Sequence, residues 1–261
     1  MIKKILLAFF LVISFSTAVF ADEENSQVEI WNTSKGLQRL DRSRFKKDFY
    51  QLVNFFEPQI NPLYCSIATG TILLNALNYG NIPSQKDGEV QKPEAAGNNI
   101  IEFHLYSQSG FLNNKTDKIK KREVIRYEAT TIINDKEVYD AGLSMTDFSR
   151  MLSKAYNLKV DVTYVKKSDT KSIDTFRQTL KKYLIEDRRF VVVNFDGKIL
   201  NLTTRGHVSP IAAYDEESDS VLVLDVALHK TQWYWAPLEK LHAAMNTMDN
   251  ETYRGYLLVG K

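Results

Sequence analysis

The chain holds 261 residues with 34 basic and 32 acidic side chains, and 44% of its residues are hydrophobic. That length fits one large domain, and so small a charge imbalance argues against nucleic acid or an anionic membrane surface as an electrostatic partner. A single cysteine, Cys65, excludes an internal disulfide and a thiolate cluster for soft metal ions.

In chain order, Lys3 and Lys4 precede the apolar run "ILLAFFLVISFSTAVF", which ends on small or tolerated residues at Ala21. Residues 1–21 read as a signal peptide cut after Ala21, with the acidic "DEEN" favouring cleavage over a stable membrane anchor. The expected product, residues 22–261, carries 32 charges of each sign, because the leader takes away two lysines and no acid. It is expected to be exported, periplasmic or secreted.

Residues 22–45 are mostly polar and read as a surface lead-in with a turn near Asn32–Gly36. "FKKDFYQLVNFF" (45–56) suits a helix or an extended docking segment, broken by Pro58 and Pro62. Residues 66–79 are apolar on several faces and predict a helix buried on most sides. Residues 80–99 are rich in Gly, Pro, Asn and charge and read as a loop, the start of a variable insertion around 80–140. Within it "KTDKIKKREVIRYE" reads as a charged, solvated helix. A helix is expected over 143–157 with Ser144 or Thr146 as N-cap, then a strand "LKVDVTYVK" and the amphipathic helix "DTKSIDTFRQTLKKYLIED". Four strands follow: "RRFVVVNFD", "GHVSPIAAYD", "SVLVLDVAL" and "RGYLLVGK". Helices first and antiparallel strands later make a single α+β domain.

A lone cysteine in an exported chain is either a buried small hydrophobe or a working thiol. Cys65 stands where a helix begins, and the unsatisfied N–H groups there favour a thiolate. A thiolate nucleophile needs a histidine to carry the proton and a polar group to orient that histidine. Of His104, His207, His229 and His242, His207 opens a strand-like run, and Asp225 closes the next one. Two adjacent antiparallel strands would place them together. Gln59, six residues before Cys65, can offer an oxyanion donor beside the Cys65 N–H. His229 and His242 read as isolated surface residues, and no metal site is expected.

Three blocks, "PLYCSIATGTILLNAL", "GHVSPIAAYDEESDSVLVLDVA" and "WAPLEKLHAAMNTMD…RGYLLV", resemble the catalytic domain of the phytochelatin synthase family, which is papain-like. The similarity runs from about Phe45 to Val259 and skips the middle, 80–140. The sequence departs from the family pattern at Ser66, where glycine is usual, and at Leu228, where plant enzymes carry arginine. The resemblance implies a helical N-terminal half packed on an antiparallel sheet from the C-terminal half. It implies Cys65 as nucleophile, His207 as general base and acid, Asp225 as its orienter and Gln59 in the oxyanion hole. It further implies Asp249 and Arg254 as holders of a γ-glutamyl group, although their spacing is two residues shorter than in the family. The implied activity cleaves the Cys–Gly bond of glutathione and passes the γ-glutamylcysteinyl group to water or to a second glutathione. Glutathione and phytochelatins are the implied small-molecule partners, free or as metal–thiolate complexes, with no tightly bound cofactor. A homodimer is compatible with this reading.

Overall fold

The computed structural model describes residues 28–79, 90–91, 105–126, 130–133, 136–139, 142–249 and 252–261. The expected signal peptide and nearly all of the polar stretch 80–99 lie outside these residues. The chain enters through an edge strand, β1 (Glu29–Ile30), and passes through α1 (Ser34–Arg42) and α2 (Lys47–Leu52) into α3 (Cys65–Asn78). The middle of the chain contributes β2 (Val90–Gln91), β3 (Leu105–Tyr106), α4 (Gln108–Phe111), α5 (Arg122–Arg126), β4 (Thr130–Ile133) and β5 (Lys136–Tyr139). Next come α6 (Met145–Arg150), β6 (Lys159–Tyr164), α7 (Thr170–Tyr183), β7 (Arg189–Asp196), β8 (Gly206–Asp215) and β9 (Ser220–Val223). The last elements are β10 (Tyr234–Pro237), α8 (Leu238–Met245), β11 (Met248–Asp249), β12 (Thr252–Tyr253) and β13 (Gly255–Gly260).

Seven strands form one antiparallel sheet in the order β1-β10-β9-β8-β7-β13-β6. Its central strands are apolar on both faces, so period-2 alternation divides them between two cores. Phe190 and Val192 of β7 and Leu257 and Val259 of β13 face α3, whereas Val191, Val193, Tyr256 and Leu258 face α7 and α8. Helix α3 is closed on nearly every side, with Ile67, Ala68, Ile72, Leu73, Leu74 and Leu77 fully buried. Each such Leu or Ile contributes about 1.5–3 kcal/mol of transfer free energy. The α+β class expected from the sequence is the one observed, with one addition: α7 and α8, from the C-terminal half, cover the sheet's second face.

Other expectations need correction. The polar lead-in contains α1, capped by Thr33, whose Oγ1 accepts the Gly36 N–H at 3.0 Å. The helix is fixed by tertiary contact rather than by an apolar stripe: Trp235 Nε1 donates to the Gly36 carbonyl at 3.0 Å. The solvated helix expected from Lys115 onward is split into a 3₁₀ turn (Thr116–Lys118) and α5, with Ile125 fully buried. Asp117 causes the break, accepting the Arg122 N–H at 3.1 Å and its Nε at 2.8 Å. Ser144 is the cap of α6, and the helix then widens to π geometry over Met151–Ala155. Residues 105–125 of the insertion are docked on the core around α3. Asn75 takes the Tyr106 N–H at 2.7 Å and donates to its carbonyl at 3.1 Å, and Phe111 lies over Gly70, where an added Cβ would stand 2.5 Å from its ring.

Candidate active site

The proline-bounded turn before α3 sets the position of the cysteine. Asn61 organises it, its Oδ1 accepting the Leu63 N–H at 2.9 Å and its carbonyl accepting the Tyr64 N–H at 2.9 Å. Helix α3 then begins on Cys65 itself, with no side-chain cap at Tyr64. The first-turn N–H groups of a helix lack carbonyls four residues back, so they and the dipole favour a negative charge at the sulfur. Thr69 Oγ1, one turn on, donates to the Val208 carbonyl at 3.2 Å and ties α3 to β8 beside His207.

The strand register delivers the other two groups. β8 and β9 pair antiparallel with a bulge between Ile211 and Ala213, and Asp225 follows two residues after β9 ends. His207 Nε2 meets Asp225 Oδ1 at 2.8 Å with both side chains buried. The same Oδ1 accepts the Ala227 N–H at 2.8 Å, which fixes the carboxylate, and Ser209 Oγ lies 3.2 Å from Nε2. Nε2 is thereby occupied, so Nδ1 is the ring nitrogen left for the Cys65 thiol, to which His207 is electrostatically coupled. Phe195, directly across the ladder, closes an edge-to-face contact on the imidazole at 5.6 Å.

Burial opposes ionisation of the thiol, but the hydrogen bond and charge of His207, the Val208 N–H and Ser66 outweigh it and hold Cys65 below its ordinary value. Burial likewise opposes the imidazolium, but the charge and hydrogen bond of Asp225, then the Cys65 sulfur, raise His207 to about 10. The two shifts have one meaning: a thiolate–imidazolium pair over a broad pH range. Cys65 is half-buried, while His207 and Asp225 are closed off.

Gln59 lies in the same neighbourhood, its N–H donating to the carbonyl of Val226, the residue after Asp225, at 2.9 Å. Its side-chain Nε2 donates to the Asn61 and Pro62 carbonyls, each at 3.0 Å, so both amide hydrogens are engaged within the turn. An oxyanion would have to displace one of these neutral acceptors, an exchange that a charged acceptor favours.

Asp249 and Arg254 also come together, on the hairpin β11–β12 and its exit. Arg254 Nη2 lies 3.5 Å from Asp249 Oδ1, and Asn194 donates to Asp249 Oδ2 at 3.2 Å. Arg254 is 8% exposed, held by the Met248 carbonyl and Thr247, while its Nε has no hydrogen-bond partner among the described residues. Gly206 is the link to the cysteine centre. A Cβ there would stand 2.6 Å from Arg254 Nη2, so the missing side chain lets the guanidinium lie against the residue before His207.

Sequence reading missed two neighbours. Ser209 is detectable in principle, since it falls two residues after His207 on the same strand face. Tyr234, from the unread strand β10, is fully buried, and burial together with the Asp225 carboxylate pushes its phenol well above the usual range. His242 is not a surface residue: it is 1% exposed, its Nδ1 lies 2.9 Å from Ser168 Oγ, and burial keeps it below the ordinary histidine value. His229 is exposed. Among the described residues no three His, Cys, Asp or Glu side chains converge as metal ligands would, and no helix is long and apolar enough to cross a membrane.

The Phytochelatin synthase family model matches residues 24–256. The chain belongs to this family. It is 27% identical over 217 residues to glutathione gamma-glutamylcysteinyltransferase 3 of Lotus japonicus, covering 82% of this chain and 37% of that protein. It is 26% identical over 215 residues to glutathione gamma-glutamylcysteinyltransferase 1 of Arabidopsis thaliana, again over 82% of this chain and 37% of the relative. A Schizosaccharomyces pombe glutathione gamma-glutamylcysteinyltransferase matches at 29% over 120 residues, 45% of this chain and 28% of that protein. The chain therefore spans well under half the length of these relatives. The seven-stranded antiparallel sheet and its helices are consistent with the papain-like fold of phytochelatin synthases.

Proposed function

We propose that this chain cleaves the Cys–Gly bond of glutathione through a γ-glutamylcysteinyl thioester on Cys65. The observation that carries the reading is the 2.8 Å contact between His207 Nε2 and Asp225, which leaves the other ring nitrogen for a thiol at a helix N-terminus. The thiolate attacks the cysteinyl carbonyl carbon, forming the C–S bond, and the developing oxyanion is met by the Cys65 N–H and by the Gln59 amide once it yields an internal bond. His207, protonated at the outset, donates its proton to the glycine nitrogen as the C–N bond breaks. Neutral His207 then takes a proton from water, or from the α-amino group of a second glutathione, as that nucleophile opens the thioester. Transfer to glutathione gives a phytochelatin; transfer to water gives γ-glutamylcysteine.

Arg254 and Asp249 suit a zwitterionic glutamyl end. The substrate's α-carboxylate would take over Arg254 Nη2, whose contact with Asp249 is long, while Asp249 receives the ammonium. Metal–glutathione thiolates are admitted as substrates on this reading, since the substrate sulfur takes no part in the bond changes. The lysine-led apolar N-terminus supports export to the periplasm or beyond, where such an enzyme would serve metal detoxification. The test is turnover of glutathione against α-Glu-Cys-Gly, scored by released glycine. A strong preference for the γ-linked peptide is expected. Equal turnover would favour a general peptidase instead.

A further inference from the structure

Gln108, in the four-residue helix α4 of the middle segment, is 2% exposed, and among the described residues the hydrogen bonds of its side chain all go to the segment that bears Gln59. Its Nε2 donates to the Pro58 carbonyl at 2.9 Å, with Glu57 Oε2 at 3.4 Å, and its Oε1 accepts the Ile60 N–H at 3.1 Å. One amide thus brackets Gln59 by binding the backbone on either side of it. On the opposite edge the Gln59 N–H donates to Val226 at 2.9 Å, adjacent to Asp225. Residues 58–60 are held as a strand in a ladder would be, except that a side chain replaces one neighbouring strand. From there the Gln59 amide runs to the Asn61 and Pro62 carbonyls, and so to the turn that launches Cys65.

We propose that Gln108 is a positioning residue for the oxyanion side of the site. It touches neither the sulfur nor the imidazole, and it fixes the peptide that decides where the Gln59 amide and the Cys65 N–H point. Ile60 is 64% exposed, so water can replace part of the bracket when it is lost. The fold would then persist while the geometry loosens, and a misplacement on the order of 1 Å is enough to cost about 100-fold in rate. The inference rests on Cys65 as an acyl-accepting nucleophile, but not on glutathione as the acyl donor.

The experiment compares two reactions of Cys65 in wild type, Gln108→Met and Gln108→Ala. Methionine keeps the side-chain length and apolar packing without the amide. Acylation by p-nitrophenyl acetate passes through a tetrahedral oxyanion and needs no γ-glutamyl pocket, whereas alkylation by iodoacetamide forms no oxyanion. In both variants the p-nitrophenol burst is expected to slow by about 100-fold, the cost of a misplaced oxyanion donor. The alkylation rate and its pH profile should stay at wild-type values, with melting temperatures that show both variants folded. A wild-type burst in Gln108→Met would overturn the proposal. So would acylation and alkylation falling together, since Gln108 would then act on the thiolate. A wild type that shows the burst but leaves glutathione intact would instead remove the substrate reading and leave the role of Gln108 decided by the variants.

Discussion

His207 on β8 meets Asp225, two residues past the end of β9, at 2.8 Å, whereas Arg254 meets Asp249 at 3.5 Å around a hairpin whose strands have two residues each. In the first pair the accepting carboxylate oxygen also receives the Ala227 N–H, and Phe195 packs on the ring. In the second, Arg254 spends its strongest contacts on the backbone of its own hairpin and leaves Nε without a partner among the described residues. On the proposed mechanism, proton transfer needs one geometry held throughout the cycle, which a core that over-determines every side chain supplies. Ligand capture gains from a charge whose internal partner is loosely held, because that contact is cheaply exchanged.

Removing the nucleophile should produce the largest effect in the tight region. Cys65→Ala should reduce glycine release from glutathione to the uncatalysed background while circular dichroism shows an unchanged fold. His207→Ala comes next, with a loss of about 10²–10⁴-fold expected for a missing general acid–base group. In wild type the thiol titrates below its ordinary value and His207 near 10, so the thiolate–imidazolium form fills the window between them. Activity should therefore rise as Cys65 ionises and fall as His207 loses its proton, and iodoacetamide should alkylate Cys65 at pH 6, well below the ordinary thiol pKa of about 8.5. Sluggish alkylation there would remove the ion pair from the account.

Arg254→Ala probes the loose region. Truncating one partner of a buried charged contact typically costs ~2–5 kcal/mol, and the loss should fall on glutathione while p-nitrophenyl acetate acylation is spared. Parallel losses on both substrates would mean that Arg254 supports His207 through Gly206 rather than binding the glutamyl end. Asp225→Asn should have the smallest effect, because an amide oxygen can still accept from Nε2 and Ala227, as the asparagine of a papain-like Cys-His-Asn site does. Its signature is directional: the carboxylate charge raises His207, so losing it should move the alkaline limb of the pH profile to lower pH.

The tight region was also the more legible in sequence. Cys65, His207 and Asp225 each punctuate an apolar run, and period-2 strands with a buried helix leave few ways to arrange those runs. The Asp249–Arg254 pair had no such signal; only the family resemblance singled it out, and the contact depends on an absent side chain at Gly206. Helix α1 was missed because "SKGLQRLDR" is held by a cap and by Trp235, not by an apolar face. The docking of the middle segment on α3 rests on the Asn75 amide bridging to Tyr106 and on Phe111 over Gly70, neither of which has a local signature. The internal bonds of the Gln59 amide were equally invisible, since they depend on how the turn after it closes.

The central claim is that Cys65 becomes covalently acylated by glutathione. Purified protein mixed with excess glutathione, quenched in acid within the first turnovers and digested, should show one γ-glutamylcysteinyl group on the peptide that contains Cys65. An equivalent of glycine should appear in the same burst, and both signals should vanish in Cys65→Ser. Glycine released at the wild-type rate by Cys65→Ser, or steady turnover by wild type with no adduct at any quench time, would contradict the account.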